Sequence, residues 1–316
     1  MHRSGTKVAA PRTRVTFSAL YYAGLRMLGL PAAARELRNA AVVLCYHNVV
    51  SDDQTSIGGP GLHMAQSRFR DQMRWLAGNY TVIPLRELLP RMRAGRSLRK
   101  TAAVSFDDAY RGVFDYARPI LEEFRLPATV FVVTDAAAAG EPFWWDHPEA
   151  ARQAGRPSSR RWLAELRGTG RMILRDLGVT TPASLPRVAG PADWETIRAA
   201  VHAGLDLGVH SATHRSLPKL SDAELRAEVV ESRETLARHT GVTAELFAYP
   251  YGLWDQRVRD AAQAAGYMMA LTLNPRLVCA DADPWALPRV NVPARISDAA
   301  FQAWIAGWNP HRVSPQ

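Results

Sequence analysis

From residue 41 onward, short continuous apolar runs alternate with stretches in which apolar residues recur every three or four positions. The runs fit strands buried on both faces, and the longer period fits amphipathic helices. The pattern predicts strands at Ala41 to Tyr46, Tyr80 to Ile83, Thr101 to Phe106, Ala128 to Val133, Leu205 to Val209, Glu245 to Ala248 and Tyr267 to Leu271. It predicts helices over Ser67 to Leu76, Leu85 to Met92 and Val113 to Phe124, and others from Asp193, about Asp222, Asp255 and after Ser297. Ser221-Asp222-Ala223-Glu224 reads as a capping box, in which the Ser and Glu side chains satisfy free backbone donors at a helix start. Between about 134 and 192 the rhythm breaks. A small-residue stretch, the aromatic patch Phe143-Trp144-Trp145 and an Arg-rich region with helical patterns around Trp162 and Ile173 read as an insertion over the sheet.

Strands alternating with helices predict an α/β fold with a mainly parallel sheet. Seven or eight such strands, with no Gly-rich dinucleotide loop after any of them, fit a distorted TIM-like (β/α)7-8 barrel better than an open Rossmann sheet. The expected organisation is a basic segment over 1–40 and a single domain over 41–316 that carries the insertion. A chain of 316 residues with 47% hydrophobic and 22% charged residues builds a large core, which rules out disordered and collagen-like classes. Two cysteines, Cys45 and Cys279, are too few for a disulfide framework.

The net charge of +9 invites a nucleic-acid partner, but its distribution argues against one. Residues 1–40 carry seven Arg or Lys against one Glu, residues 151–190 carry eight Arg against Glu165 and Asp176, and the rest of the chain is net negative. A duplex-binding face should be continuous. In the N-terminal segment, basic residues precede an apolar run from Val15 to Leu25, interrupted by Arg26 and followed by Ala32-Ala33-Ala34. This order is that of a secretory signal, though the Arg is unusual there, and the run is too short to span a membrane. The preferred reading is a retained basic amphipathic helix, lying on an anionic membrane face or packed on the domain. A cytoplasmic protein with peripheral contact at the inner membrane face is expected.

In a barrel, reactive residues lie just after the strands. Thr101 to Phe106 runs into Asp107-Asp108, Leu205 to Val209 into His210-Ser211-Ala212-Thr213-His214, Ala41 to Tyr46 into His47, and Glu245 to Ala248 into Tyr249-Pro250-Tyr251-Gly252. Adjacent carboxylates repel, and a divalent ion bound by one leaves the other free as a base; the plainer alternative is a pair of helix caps. His210 and His214, four apart, can aim at one ion. With one Asp they make three protein ligands and leave open positions, as catalytic sites do. His47 can give a proton to a leaving group. The Pro250 turn can aim a backbone N–H at an oxyanion. Tyr249, Pro250, Trp145, Trp254 and Arg289 are assigned to substrate contact, and Arg289 has the alternative of an ion pair with the free carboxylate.

At these residues the chain resembles the polysaccharide deacetylase family, carbohydrate esterase family 4, also called the NodB homology domain. Ser105-Phe106-Asp107-Asp108 matches its Thr-Phe-Asp-Asp motif, His210-Ser211-Ala212-Thr213-His214 its His-Ser/Thr-x-x-His motif, and Phe247 to Gly252 is similar to a third. The resemblance runs from about 41 to 295. It implies hydrolysis of an N-acetyl group on an amino sugar in a polysaccharide, oligosaccharide or lipid-linked glycan. By the same resemblance Asp107 is the general base, Asp108, His210 and His214 hold one divalent ion (zinc first, then cobalt, nickel or manganese), the Tyr251 amide is the oxyanion donor, and His47 is the acid. Three departures stand out. Ala109 replaces the usual Gly, which asks the backbone to avoid positive φ; Ala248 replaces an Arg that commonly faces the base; and the late Leu-x-His motif is absent, so that Tyr46-His47 resembles the acid element of a branch with permuted motifs. The other readings are a deformylase or amidase on another acylated amine, and a catalytically silent carbohydrate- or membrane-binding relative.

Overall fold

The structure is a computed structural model that describes residues 12–59, 61–155, 157–180 and 183–309. Ten strands occur among them: β1 Ala41–Tyr46, β2 Asn48–Val50, β3 His63–Ala65, β4 Thr81–Val82, β5 Thr101–Phe106, β6 Ala128–Val132, β7 Asp206–Val209, β8 Leu246–Ala248, β9 Met269–Leu271 and β10 Val290–Asn291. Eight form one parallel sheet in the order β10-β1-β5-β6-β7-β8-β9, with β4 also paired to β5. The sheet curls into a distorted barrel. Its two edges meet through segment 287–291, where Leu287 bridges Leu271, the last residue of β9, and Val290 and Asn291 pair with Leu44 and Cys45 of β1.

The barrel agrees with the sequence pattern, and three features depart from it. Tyr80 to Ile83 shrinks to the two residues of β4. The edge strand β10 and the small parallel ribbon of β2 and β3 had no counterpart in the pattern. None of these three lies within an apolar run of four or more residues, so no strand signal marks them. The capping box forms as written, with the Ser221 hydroxyl accepting from the Glu224 N–H and the Glu224 carboxylate accepting in return. Asp193, Asp255 and Ser297 likewise cap the helices Trp194–His202, Gln256–Ala264 and Asp298–Ile305.

Alternation along each strand divides the core. Val42, Leu44, Val104, Val130 and Phe247 pack under the surrounding helices with Phe69, Ile120 and Val258. Val43, Ala103, Phe131, Leu246, Met269 and Leu271 fill the barrel. Phe131 needs its neighbour to be glycine, because a Cβ on Gly208 would lie 2.3 Å from its ring.

The inserted region contains the helices Thr134–Ala139, Pro148–Gln153, Pro157–Ala164 and Gly170–Asp176. Ala150, Trp162 and Ile173 make a small core of its own. The helices Arg12–Met27 and Leu30–Leu37 precede β1, and Tyr22 packs edge-on against Trp304 of the last helix at 6.5 Å.

Candidate active site

Because the strands are parallel, everything that follows a strand lies at one end of the barrel. Asp107 and Asp108 follow β5, His210 follows β7, His47 follows β1 and Tyr249 follows β8. The backbone there is unusual. Of eight non-glycine residues with positive φ among those described, five are in these loops: Asp108, Ala109, Ser211, His214 and Tyr251. Left-handed backbone costs roughly 1–2 kcal/mol per non-glycine residue, and such residues gather at functional sites. Ala109 is one of them at φ 53, so the expectation that alanine keeps positive φ out of this position is overturned. Its carbonyl accepts from Ala192 N–H and its side chain is buried, so the surroundings impose the conformation.

Asp108, His210 and His214 converge. Asp108 Oδ1 is 3.4 Å from His214 Nε2 and 3.7 Å from His210 Nε2, and the two Nε2 atoms are 3.1 Å apart. Four ligands at ~2.0–2.1 Å in a tetrahedron would stand ~3.3 Å from one another, so this spacing fits one small divalent cation. His210 Nδ1 lies 2.8 Å from the Ala248 carbonyl; donation there turns the Nε2 lone pair inward. Asp108 Oδ1 and His214 Nδ1 are buried and make no hydrogen bond. Burial, with the charges of Asp107 and Asp146, pushes the Asp108 carboxyl well above its usual range. Burial also lowers both imidazoles, His214 further because His210 faces it. A desolvated carboxyl beside two neutral imidazoles is a donor set that a cation would satisfy.

Asp107 sits beside this cluster, its Oδ2 3.6 Å from His210 Nε2. Arg289 grips it in a fork, with Nη1 to Oδ1 at 2.7 Å and Nη2 to Oδ2 at 2.8 Å. Burial alone would raise this carboxyl, but Arg289 and His210 outweigh it and hold it well below the usual range. The arginine is fully buried, donates from Nε to Thr272 O at 3.0 Å and lies over the Phe131 ring. It faces Asp107 where Ala248 offers no charge, from the segment just before β10. The Cys45 thiol donates to Asp107 Oδ2 at 3.3 Å, and Cys45, His47 and Asp107 bring one polar atom each within 4.8 Å of one another. Burial moves the His47 imidazole down to about 4, against the pull of Asp107.

Tyr251 has φ 59, and the bonds of its turn run from Gly252 N–H to Tyr249 O and from Leu253 N–H to Pro250 O, so the Tyr251 N–H is not used by the turn. Its ring packs edge-on against His214 at 4.5 Å.

Three assignments to substrate contact are corrected. Tyr249 is fully buried with its hydroxyl donated to Trp285 O, Pro250 is buried beneath the turn, and Arg289 is committed to Asp107. None has surface to offer a sugar. Trp254 is half-buried and stacks on Tyr249, with ring centres 6.1 Å apart. Trp145 is 4.6 Å from the His214 ring, stacked on Phe143, and lines a cleft of about 670 Å³ that also touches Trp144, Arg167, Arg171 and Arg215.

Sequence reasoning missed a supporting layer. The Trp145 indole N–H donates to the Tyr110 hydroxyl at 2.7 Å, which donates to Asp146 Oδ2 at 2.6 Å. Asp146 Oδ1 accepts from Gly59 N–H and lies 2.9 Å from His63 Nε2, which ties the aromatic patch to the β2–β3 ribbon. Glu228 accepts from the backbone N–H groups of Ala212 and Thr213 at 3.0 and 2.8 Å and from the Thr213 hydroxyl, so it clamps the loop between the two histidines. It lies in a π-helical turn, Ala227–Glu231, within the helical run from Asp222 to Thr240. A polar residue on the buried side of that run was the only signal available.

Comparison with known proteins accords with this geometry. The sequence profile of the polysaccharide deacetylase family matches residues 94–270. A poly-beta-1,6-N-acetyl-D-glucosamine N-deacetylase of Staphylococcus aureus is 24% identical over 290 residues, 88% of this chain and 86% of that protein. The putative polysaccharide deacetylase YxkH of Bacillus subtilis is 22% identical over 83% of this chain and 75% of its own length. The deacetylase PplD of Streptococcus pyogenes, solved with acetate, superposes with a TM-score of 0.61 at 17% identity, covering 84% of this chain and 98% of that one, a likeness of fold. With its profile spanning most of the barrel, including both the Asp-Asp and the His-x-x-x-His loops, the chain belongs to the polysaccharide deacetylase family, carbohydrate esterase family 4, and is a hydrolase of carbon–nitrogen bonds.

Proposed function

We propose that the protein removes N-acetyl groups from N-acetylglucosamine units of a polysaccharide, of the β-1,6-linked kind named for its staphylococcal relatives, with one divalent cation held by Asp108, His210 and His214. The observation that carries this reading is the convergence of those three ligand atoms beside an Asp107 that Arg289 keeps in place. Zinc is the first candidate for an Asp-His-His set, with cobalt, nickel or manganese as alternatives. When bound, the cation would supply Lewis-acid polarisation of the acyl carbonyl and make a nearby water more acidic.

The chain's own residues account for the remaining chemistry. Asp107, ionised across the neutral range, takes the proton of the attacking water. Its fork with Arg289 lowers its basicity and in exchange fixes which lone pair faces the reaction. The Tyr251 N–H donates to the oxygen on which negative charge develops. His47, beside Asp107 and neutral near pH 7, relays the proton that Asp107 took from the water to the amine nitrogen as the carbon–nitrogen bond breaks, so that acetate and a free amine leave. Trp145, on the wall of the cleft beside His214, is the aromatic placed to meet a sugar ring, and Trp254 flanks the turn.

The test is acetate release from acetylated β-1,6-glucosamine oligomers, with β-1,4 oligomers and N-formyl analogues alongside. Asp107→Asn and His210→Ala should each lower the rate by about 10²–10⁴-fold. Unchanged release in both would overturn the mechanism, and faster loss of formyl than acetyl would move the substrate to another acylated amine.

A further inference from the structure

Six large apolar side chains are exposed among the described residues, and five of them, Leu20, Tyr21, Met27, Leu28 and Leu37, lie on the helix pair that precedes the barrel. Four belong to one stripe. Positions 20, 21, 24, 27 and 28 recur with helical spacing, and a Cβ on Gly24 would meet nothing within 4 Å, so the stripe is open along its length. Met27 is 89% and Leu28 74% exposed. The opposite side of the helix, through Tyr22 and Leu25, is buried against the body of the protein. A surface helix ordinarily turns polar residues to water, whereas this one has an apolar face on the domain and another in solvent.

We infer that the helix pair Arg12–Met27 and Leu30–Leu37 docks the protein on an anionic lipid surface, with the Leu20-Tyr21-Met27-Leu28 stripe entering the interface. No described helix is long and apolar enough to cross a membrane, so the arm lies in the interfacial plane. Charge selects the partner. Residues 1–40 hold seven basic residues and one acid, Glu36, which is already paired with Lys100 at 2.6 Å and Arg35 at 3.5 Å. Arg26 is exposed in the last turn of the first helix, next to Met27 in the chain. A second copy of the chain would bring the same positive segment against this one, whereas anionic headgroups complement it.

The placement also suits an enzyme whose substrate is in water. The second helix is tied by Glu36 to Lys100, just before β5, and Asn39 Oδ1 accepts from Leu98 N–H at 2.8 Å. The arm therefore reaches the end of the barrel where strands begin, and Asp107 lies at the other end, about 20 Å away along a six-residue strand. Docking leaves the catalytic rim open.

The experiment is co-sedimentation of the full chain with vesicles of pure phosphatidylcholine and of phosphatidylcholine containing 30% phosphatidylglycerol. Binding to the anionic vesicles alone is expected, weakening as salt rises from 0.1 to 0.5 M. Met27→Glu with Leu28→Glu should reduce it about tenfold or more, and Arg26→Glu several-fold. Leu37→Glu tests the second helix. These residues are exposed, so the melting temperature and acetate release from a soluble oligomer should not change, which separates docking from folding and from the deacetylase reading. Equal binding to neutral vesicles, binding indifferent to the glutamate pair, or a dimer in solution that the pair dissociates would each overturn the inference.

Discussion

Arg289 and Asp107, 182 residues apart in the chain, form a two-pronged ion pair in which the arginine is fully buried. Removing one member of such a pair strands a desolvated charge, so Arg289→Leu should cost about 3–5 kcal/mol of stability in urea unfolding. Arg289→Lys keeps the charge and loses the fork. It should retain most of the stability and yet release acetate about 10–100-fold more slowly, as expected when a reacting group is misplaced by an ångström. Full activity in the lysine variant would show that orientation by the fork is dispensable.

Glu228 touches neither substrate nor ligand atoms; it positions the loop that carries the histidines. Glu228→Ala leaves two part-buried backbone N–H groups without their acceptor, at about 1 kcal/mol, and should weaken zinc binding about 10–100-fold in a competition titration. Glu228→Gln restores one acceptor and should recover part of that affinity. If zinc affinity is unaffected while stability falls, the clamp is only structural.

Ala109 holds positive φ without glycine's freedom. Ala109→Gly should therefore be neutral or stabilising by up to about 1 kcal/mol, the relief of strain being partly offset by the greater entropy of the unfolded chain. Ala109→Val should destabilise by about 2–3 kcal/mol, since a β-branched side chain is forced into the same backbone within a buried site. Equal stability of the valine variant in urea would contradict the strained conformation.

The acidic half of the capping box gives a pH dependence away from the site. Donation from Arg215 and from the Ser221 N–H and hydroxyl draws the Glu224 carboxyl down to about 2. A group whose folded value lies below its unfolded value stabilises above the unfolded value and loses that contribution as pH falls toward the folded one. Wild type should therefore melt above Glu224→Gln at pH 7, and the gap should narrow from about pH 5 downward. A gap that stays constant to pH 3 would argue against the ion pair.

The alternation of apolar runs, the capping box at Ser221, the helix starts at Asp193, Asp255 and Ser297, and the polar residues just past each strand were all readable along the chain. Each depends on periodicity or on neighbours within four positions, which a linear pattern records. From these alone the barrel, the shared rim and the membership of Asp107, Asp108, His210 and His214 could be written down. The partner of Asp107 was open, because Ala248 lacks a charge and nothing adjacent to Arg289 distinguishes it from a surface arginine until the barrel brings 287–291 between β9 and β1. Tyr249 and Pro250 looked available and are enclosed, since exposure is a property of the packed layers and not of a turn motif. Glu228, Asp146 and His63 act across separations of 15 to 87 residues, through contacts that closure of the barrel and folding of the insertion create. Local order is set by short-range sterics and hydrogen bonding, whereas the pairing of distant buried polar groups is settled only when the tertiary fold removes them from water.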